Sequence, residues 1–412
     1  MGDHSKRAER IMQRIDELAS ISEDEGRITR TYGTRPFIQG RNKVEQWMKE
    51  AGLDTRIDNI GNVRGRLDSN NAKAQTFVIA SHIDTVVNAG RFDGPMGVLI
   101  GLDLAAQLGM SGATLPYNIE VIGFCDEEGC RFHTTYLGSK ALIGKLESSL
   151  LDAKDATGME LSHVITQMGG DINKLNEDLI EAADWEGYFE IHIEQGPVLF
   201  ERDIPVGVVS AIAGQYRAGL IFNGEAGHAG TVPMDMRKDA LAGAAEFVMA
   251  VENFASKNGN GLVATVGKLH IINSASNVIP GEVICSLDVR HANEMILSQC
   301  YDSLQKLAKD ICEKRGLTLD WNLVQHTKPV TCDEKLTRNL KNAISDSGYE
   351  VVELVSGAGH DAVPISSVSP VVMLFVRCYK GISHNPLENV EMKDLIATLK
   401  VSDNFIKTLI AK

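Results

Sequence analysis

Short apolar runs alternate with longer segments of helical periodicity in the first half of the chain. The runs TFVIAS at 76–81, YNIEVIGFC at 117–125 and GYFEIHIEQG at 187–196 are nearly continuous, which is typical of strands buried on both faces. Helices are predicted over 36–52, which ends at a glycine, and over the apolar stretch 97–108. We therefore expect an α/β fold with a central sheet covered by helices on both faces.

The pattern of apolar and polar residues changes after about residue 209. The pattern there predicts strand 213–223, helix 235–256, strands 262–272 and 282–291, helix 293–314 and strand 317–327. This β-α-β-β-α-β order is typical of a compact α+β sandwich. A helix at 333–348, a strand at 370–377 and a closing helix near 391–411 then resume the first pattern. We predict a domain formed by 1–210 and 328–412, with 211–327 inserted in it.

Composition narrows the possible functions. The 412 residues carry a net charge of −14, which argues against a nucleic-acid partner because phosphate binding depends on Lys and Arg. No run approaches the ~18 apolar residues of a membrane span, and the amphipathic N-terminal segment resembles neither a signal nor a transit peptide. Seven cysteines, several in apolar runs and without tight pairing, favour reduced thiols and a cytoplasmic location.

Polar side chains with metal-binding capacity follow or interrupt the apolar runs. They are His82 after the first run, Asp93 in GRFDGPMG, Glu127 and Glu128 after the second run, His192 within the third, and His384 in GISHNP after VVMLFVR. The carboxyl ends of strands in an open α/β sheet face one crevice, so we expect these side chains to converge. Imidazole and carboxylate ligands suit zinc or manganese, and a carboxylate such as Asp93 can bridge two ions.

Each of these residues also has an ordinary structural interpretation. His82 could end a strand, the acidic pair could face solvent, and His192 could be a polar-face residue of its strand. Together, however, they place polar groups inside apolar runs, where burial without partners is costly. The combined pattern therefore favours a metal site.

Eight motifs of this chain resemble those of one family: SHIDTV, GRFDGPMG, DEEGCRF, EIHIEQGPVL, GHAGTVPM, SASNVIPGEV, SGAGHDA and GISHNP. In this order they resemble the amidase/hydantoinase/carbamoylase family, a branch of the di-metal aminoacylase-type peptidases. The resemblance extends from about residue 30 to the C-terminus, and it is HIEQG, GHAGTVPM and SGAGHDA that make it specific. It implies a di-metal aminopeptidase-like catalytic domain with a mixed central sheet, and an inserted domain that serves as lid and dimerisation domain.

The resemblance also implies roles for individual residues. His82, Asp93 and His192 would hold one divalent ion, Mn²⁺ or Zn²⁺, and Asp93, Glu128 and His384 a second. Asp84 would orient His82. Glu127 would be the general base, and a bend at Gly129 would let Glu127 and Glu128 both reach the ions, since neighbouring strand residues point to opposite faces.

Substrate contacts are implied in the same way. Gln195 would lie near the ureido group, and Asn277 and Arg290 would bind a carboxylate, for which the arginine fork is well suited. His228, from the partner subunit of a homodimer, would stabilise the oxyanion. The loop with Gly359 and His360 would approach the substrate. Ordinary alternatives are a surface salt bridge for Arg290 and a loop position for His228.

The activity implied is hydrolysis of a ureido C–N bond in a small carboxylate, with allantoate the expected substrate. The alternatives are an N-carbamoyl-L-amino acid hydrolase or β-ureidopropionase, which would use the same residues, and a non-catalytic binding protein. The presence of Glu127 beside a full set of ligands argues against the last, because a binding protein needs no base.

Overall fold

The computed structural model describes residues 3–69, 71, 73–112 and 114–410, and they form two compact units. The first unit comprises the described residues up to Ser210, Cys332–Leu354, and those from Ala358 onward. The second comprises Ala211–Thr331 and Val355–Gly357. The boundary after the inserted segment thus lies at Thr331, four residues beyond the predicted 327, and a short piece near residue 356 joins the second unit.

Helices and strands alternate along most of the chain. The α-helices are α1 (His4–Ala19), α2 (Arg35–Glu50), α3 (Pro95–Ser111), α4 (Leu137–Leu142), α5 (Leu161–Gln167), α6 (Val198–Glu201), α7 (Ala240–Asn258), α8 (Glu294–Arg315), α9 (Glu334–Asp346), α10 (Ala362–Ile365) and α11 (Met392–Ile410). The strands are β1 (Asp54–Ile57), β2 (Val63–Leu67), β3 (Thr76–His82), β4 (Asn118–Phe124), β5 (Trp185–Ile193), β6 (Val206–Ile212), β7 (Gly214–Asn223), β8 (Gly227–His228), β9 (Val263–Thr265), β10 (Leu269–Ile271), β11 (Val278–Ile279), β12 (Glu282–His291), β13 (Thr318–Thr327), β14 (Val330–Thr331), β15 (Glu353–Ser356) and β16 (Val371–Val376). Short 3₁₀ helices lie at Ser148–Asp152, Leu175–Asp178, Ala182–Asp184, Met234–Met236 and Tyr379–Gly381.

The first unit is built on a mixed sheet with the strand order β1-β2-β4-β3-β5-β16-β6. Strands β4, β3, β5 and β16 are parallel, whereas β1, β2 and β6 run antiparallel to their neighbours. All residues of β3, β4 and β16 are buried, as their continuous apolar sequences predicted. The predicted α/β class with a mixed central sheet is therefore confirmed.

Helix α3 packs closely against this sheet because glycines face the strands. A Cβ atom on Gly97 would lie 2.0 Å from the backbone oxygen of Ile191 in β5, which no side chain can tolerate. The helix begins at Pro95, directly after Gly94, whose φ of +83° is in the left-handed region. With the helix starting here, Asp93, the residue before Gly94, lies beside the ends of β3 and β5.

The second unit contains the antiparallel sheet β10-β12-β7-β13, in which β9 also pairs with β12, a separate pair of strands β11-β8, and its own apolar core. The short strands β8 and β11 are additional to the predicted β-α-β-β-α-β order. Strand β12 spans the predicted residues 282–291. The predicted single strand 262–272 is wrong, because it is divided into β9 and β10. The division arises where the Ser286 hydroxyl, rather than a backbone oxygen, accepts the N–H of Lys268 at 3.1 Å.

The predicted start of the helix at 235 is also wrong, since α7 begins at Ala240. Asp239 caps this helix by accepting the N–H of Ala242 at 3.0 Å, and the earlier residues form a separate 3₁₀ turn. Within the described part of the chain, no helix combines the length and the apolar character that a bilayer crossing requires.

A buried ion network ties the N-terminal helix to the first unit. Arg7 of α1 is 2% exposed, and its guanidinium lies 2.6 Å from the carboxylates of both Asp103 in α3 and Asp403 in α11. Removing one partner from a buried network leaves charges uncompensated. Arg7→Ala should therefore lower the free energy of unfolding by about 3–5 kcal/mol, measured by urea denaturation.

Arg10→Ala is the matched control for this change. Arg10 also contacts Asp103, at 2.5 Å, but its side chain is 45% exposed, so its removal should cost about 1 kcal/mol or less. Equal effects of the two substitutions would contradict the assignment of Arg7 as the residue that anchors α1.

Candidate metal centre

Three buried residues from separate segments meet at the carboxyl ends of β3 and β5. His82 is the last residue of β3, His192 lies near the end of β5, and Asp93 precedes α3. Asp93 Oδ1 is 3.0 Å from His192 Nε2 and 3.5 Å from His82 Nε2, and the two Nε2 atoms are 3.5 Å apart. One cation could contact all three donor atoms.

A second group uses the other oxygen of the same aspartate. His384 Nε2 lies 3.2 Å from Asp93 Oδ2 and 3.3 Å from Glu128 Oε1. In each of the two groups the donor atoms lie within 4.8 Å of one another. The five predicted ligands are therefore brought together, with Asp93 common to both groups.

The local backbone makes this convergence possible. Gly94 has no Cβ, and a Cβ there would lie 2.5 Å from the ring of His82. In the DEEG turn, Asp126 and Gly129 have φ values of 51° and 63°. This bent backbone brings donor atoms of both Glu127 and Glu128 close to His82, although adjacent strand residues would diverge. Left-handed backbone at non-glycine residues costs energy and is often found at functional sites.

The two buried imidazoles are oriented from behind by backbone oxygens. His82 Nδ1 is 3.1 Å from the backbone oxygen of Asp84 and 3.7 Å from its carboxylate, and His192 Nδ1 is 3.0 Å from the oxygen of Ile193. The Asp84 carboxylate accepts the N–H groups of Glu127 and Glu128 at 3.1 and 3.2 Å. Asp84 thus touches His82 mainly through its backbone, while its side chain holds the acidic turn.

The donor set fits a divalent cation. Asp93 Oδ1 is buried and receives no well-oriented hydrogen bond from the described residues, yet it faces two imidazole nitrogens. A buried carboxylate oxygen without such a donor is costly unless a cation compensates it. Mixed imidazole and carboxylate donors suit zinc and manganese.

Glu127 differs from the ligands in its surroundings. Its side chain is buried, and burial raises the pKa of the Glu127 carboxyl well above its ordinary value, with the charges of Glu128, Asp361 and Asp84 adding to the effect and His82 opposing it. A carboxyl whose pKa is raised in this way holds a proton more readily than an ordinary carboxylate, which suits a group that accepts and returns a proton.

Two other predicted residues of the first unit, Gln195 and His360, contact the same cluster. Gln195 Nε2 donates to Asp93 Oδ2 at 2.9 Å and to Ser383 Oγ at 3.1 Å, so it contacts the ligands themselves. His360 is buried with its ring 4.5 Å from that of His192, and burial, together with the charge of His192, lowers the pKa of His360 well below its usual value. A Cβ on Gly359 would collide with the Tyr136 hydroxyl.

The remaining predicted residues belong to the second unit. His228 of β8 pairs with Val278 of β11, and Ala229 N donates to the backbone oxygen of Asn277 at 2.9 Å, so His228 and Asn277 are neighbours. Arg290 of β12 binds Asp288 through Nε at 2.7 Å and Nη2 at 3.0 Å, and Gly357 O through Nη1 at 2.5 Å. The contact with Asp288 is a salt bridge, as the ordinary structural interpretation of Arg290 expected. The predicted substrate roles of these three residues remain predictions.

Two residues at the cluster were not predicted. Ser383 Oγ donates to Asp93 Oδ2 at 2.9 Å, and Glu388 accepts the backbone N–H groups of Phe92 and Asp93. Their only sequence signal is proximity to His384 in GISHNPLE.

Comparisons with known proteins place this cluster in a wider context. The model of peptidase family M20/M25/M40 matches residues 78–408. The chain is 38% identical to allantoate deiminase 2 of Glycine max, covering 96% of this chain and 88% of that protein. It is 36% identical to the N-carbamoyl-L-amino acid amidohydrolase of Geobacillus stearothermophilus, covering 92% and 93%. A hydantoinase/carbamoylase family amidase from Burkholderia multivorans has a similar structure, with a TM-score of 0.92, 32% identity and 98% of each chain covered.

Cation binding at this cluster should release protons. Hydrogen bonds to Asp93 and Glu128 raise the pKa of His384 to about 10, so its imidazole is protonated at neutral pH before a cation binds. Because only the neutral imidazole is a ligand, the affinity for Mn²⁺ should fall as the pH falls, by up to about tenfold per pH unit for each proton released. Isothermal titration in buffers of different ionisation enthalpy measures this proton release.

His326→Ala serves as the control for this titration. His326 pairs with Glu294 at 2.9 Å in the second unit, and its loss should leave the proton release unchanged. A binding enthalpy that is the same in every buffer would contradict the prediction.

Proposed function

The chain belongs to peptidase family M20/M25/M40 and to the hydantoinase/carbamoylase amidases, as its motifs predicted, and we propose that it is an amidohydrolase that releases ammonia from allantoate. Its cofactors would be two divalent ions per subunit, Mn²⁺ or Zn²⁺. His82, Asp93 and His192 would hold one ion, and Asp93, Glu128 and His384 the other.

The observation that carries this proposal is the pairing of two ligand groups with one buried carboxyl, Glu127, that can transfer protons. When bound, two such ions would polarise the substrate carbonyl and lower the pKa of a water molecule. A protein that only binds a ligand has no use for a buried acid–base group beside its cations. Hydrolysis is therefore favoured over binding alone.

Glu127 would accept the proton of the attacking water and deliver it to the leaving nitrogen. A C–O bond forms at the ureido carbonyl carbon, the terminal C–N bond breaks, and the nitrogen leaves as ammonia. The carbamate that remains loses CO₂, which gives ureidoglycine. The Asp84 carboxylate supports this step by holding the N–H groups of Glu127 and Glu128, which keeps the base beside the ligands.

Allantoate is the proposed substrate because the chain is similar to allantoate deiminase 2 of Glycine max. An N-carbamoyl-L-amino acid is the second candidate, supported by the relative in Geobacillus stearothermophilus. Both substrates combine a ureido group with a carboxylate, so the same ligands and the same base serve either reaction. β-Ureidopropionate is a further alternative of this chemical class.

We further propose that residues of the second unit complete substrate binding. Arg290 and Asn277 would bind the substrate carboxylate, and Gln195, Gly359 and His360 would line the site from the first unit. His228 would stabilise the oxyanion in the site of a partner subunit, which requires a homodimer formed through the second unit.

The proposed location is the cytoplasm. All seven cysteines are free thiols, and six of them are buried. Burial raises the pKa of Cys332 and Cys378 to about 12, so these thiols stay protonated and unreactive. A chain without disulfides suits a reducing compartment.

A substrate panel tests the proposed reaction. The Mn²⁺-loaded protein is incubated with allantoate, N-carbamoyl-L-amino acids, N-carbamoyl-β-alanine and dipeptides, and the release of ammonia or amino acid is measured. We expect ammonia from allantoate at the highest kcat/KM. Turnover of carbamoyl amino acids alone would replace the substrate, and cleavage of dipeptides alone would replace the reaction class.

Glu127→Gln is the internal check on the mechanism. It keeps the shape of the side chain but removes its basicity, so kcat should fall by about 10²–10⁴ while the bound metal is unchanged. Glu181→Gln, at an exposed carboxylate, should leave kcat unchanged.

A mixing experiment tests the shared site. His228→Ala and Arg290→Ala proteins should each be impaired, but a mixed dimer would contain one intact site if His228 acts on the partner. Activity should therefore rise above both parents after subunit exchange. Mixing Glu127→Gln with Arg290→Ala is the control, since both residues would act within their own chain and no activity should return. If chains exchange and activity does not rise, the shared-site proposal fails.

A further inference from the structure

Ser383 and Glu388 lie against the carboxylate that both ligand groups share. Glu388 is 3% exposed, and its Oε1 atom accepts the backbone N–H of Phe92 at 2.7 Å and that of Asp93 at 3.1 Å. Hydrogen bonds from backbone N–H groups to a buried carboxylate are strong and directional. Glu388 therefore fixes the turn from which the Asp93 side chain projects.

The residues around Glu388 leave space for its carboxylate. A Cβ atom on Gly90 would lie only 2.2 Å from Glu388 Cδ, so only glycine leaves room for the side chain. On the other side, Asn385 accepts the N–H of Leu387 at 2.9 Å through its side chain and that of Glu388 at 3.0 Å through its backbone. The segment that carries His384 is thus attached to the segment that carries Asp93.

Ser383 extends the contact from Glu388 to the Asp93 side chain. Its hydroxyl oxygen lies 2.9 Å from Asp93 Oδ2 and 3.2 Å from Glu388 Oε2, and it accepts a hydrogen bond from Gln195 at 3.1 Å. Oδ2 is thereby held on the His384 side, which leaves Oδ1 facing His82 and His192. The rotation of the carboxylate plane is fixed by contacts that are not themselves ligands.

From these contacts we propose that Glu388 and Ser383 are positioning residues that hold Asp93 in the orientation needed to bridge two divalent cations. The inference rests on the metal centre proposed above. Neither residue acts on the substrate. Loss of either would let the Asp93 carboxylate rotate, so that one oxygen no longer serves its group of ligands.

The test measures metal binding directly. Glu388→Ala, Glu388→Gln and Ser383→Ala proteins, freed of metal, are titrated with Co²⁺ by calorimetry while the visible absorption of the bound Co²⁺ reports its coordination. Contacts that orient a ligand are typically worth 10–100-fold in affinity. We expect Glu388→Ala and Ser383→Ala to weaken at least one Co²⁺ equivalent by roughly that factor and to change the spectrum. Glu388→Gln retains an oxygen for both N–H groups and should lie closer to the wild type.

Glu391→Ala is the matched control. Glu391 is an exposed carboxylate three residues along the same segment that pairs with Lys393 at 2.9 Å, and its loss should leave both the affinity and the spectrum unchanged. If Glu388→Ala does not fold, as judged by circular dichroism, Ser383→Ala decides the question.

The outcomes separate this inference from the proposed function. If the wild type does not bind two equivalents of Co²⁺, the metal centre itself is wrong. If the wild type binds both while Ser383→Ala and, where it folds, Glu388→Ala keep its affinity and spectrum, the positioning role is wrong. An equal loss in Glu391→Ala would also overturn it, since the effect would then not depend on contact with Asp93.

Discussion

The site depends on one buried carboxylate placed between three imidazoles. Burial opposes the charge of Asp93, yet close contact with His192, His384 and His82 lowers the pKa of Asp93 well below its ordinary value. The carboxylate therefore stays ionised, with one oxygen directed at each group of ligands. The imidazoles contact the Asp93 carboxylate, and Glu388 holds the Asp93 backbone by accepting the N–H groups of Phe92 and Asp93.

The fold supplies that arrangement with few special residues. Parallel strands β3 and β5 end side by side, which brings His82 and His192 to one edge of the sheet. The closeness of Asp93 then follows from two glycines, since Gly97 lets α3 lie against β5 and Gly94 leaves space for the His82 ring. Backbone in the left-handed region at His384 and in the acidic turn completes the convergence.

The sequence predicted the parts of this arrangement that interrupt a regular pattern. His82 and His192 stand out because they end or break apolar runs, and the order of strands and helices follows from periodicity. Contacts between segments that are distant in the chain produce no such pattern in the sequence. Two such contacts could not be predicted: the hydrogen bond from the Asp93 backbone N–H to Glu388, and the one to Ser286 that divides the strand at 262–272. Each depends on where a side-chain oxygen meets a backbone N–H.

The charge balance around the cluster gives a physical reason for cation binding that is independent of the ligands' geometry. Burial raises the pKa of the Asp126, Glu127 and Asp361 carboxyls well above their ordinary values, and each is raised further by a neighbouring acid. So many acids in one buried region repel one another, and protonation or a bound cation must relieve the repulsion. A divalent ion that bound only the folded chain would relieve this repulsion without protonating Glu127, and metal binding would then be coupled to stability. The same acids that make the region costly to fold also raise the pKa of Glu127, which agrees with its proposed role in proton transfer.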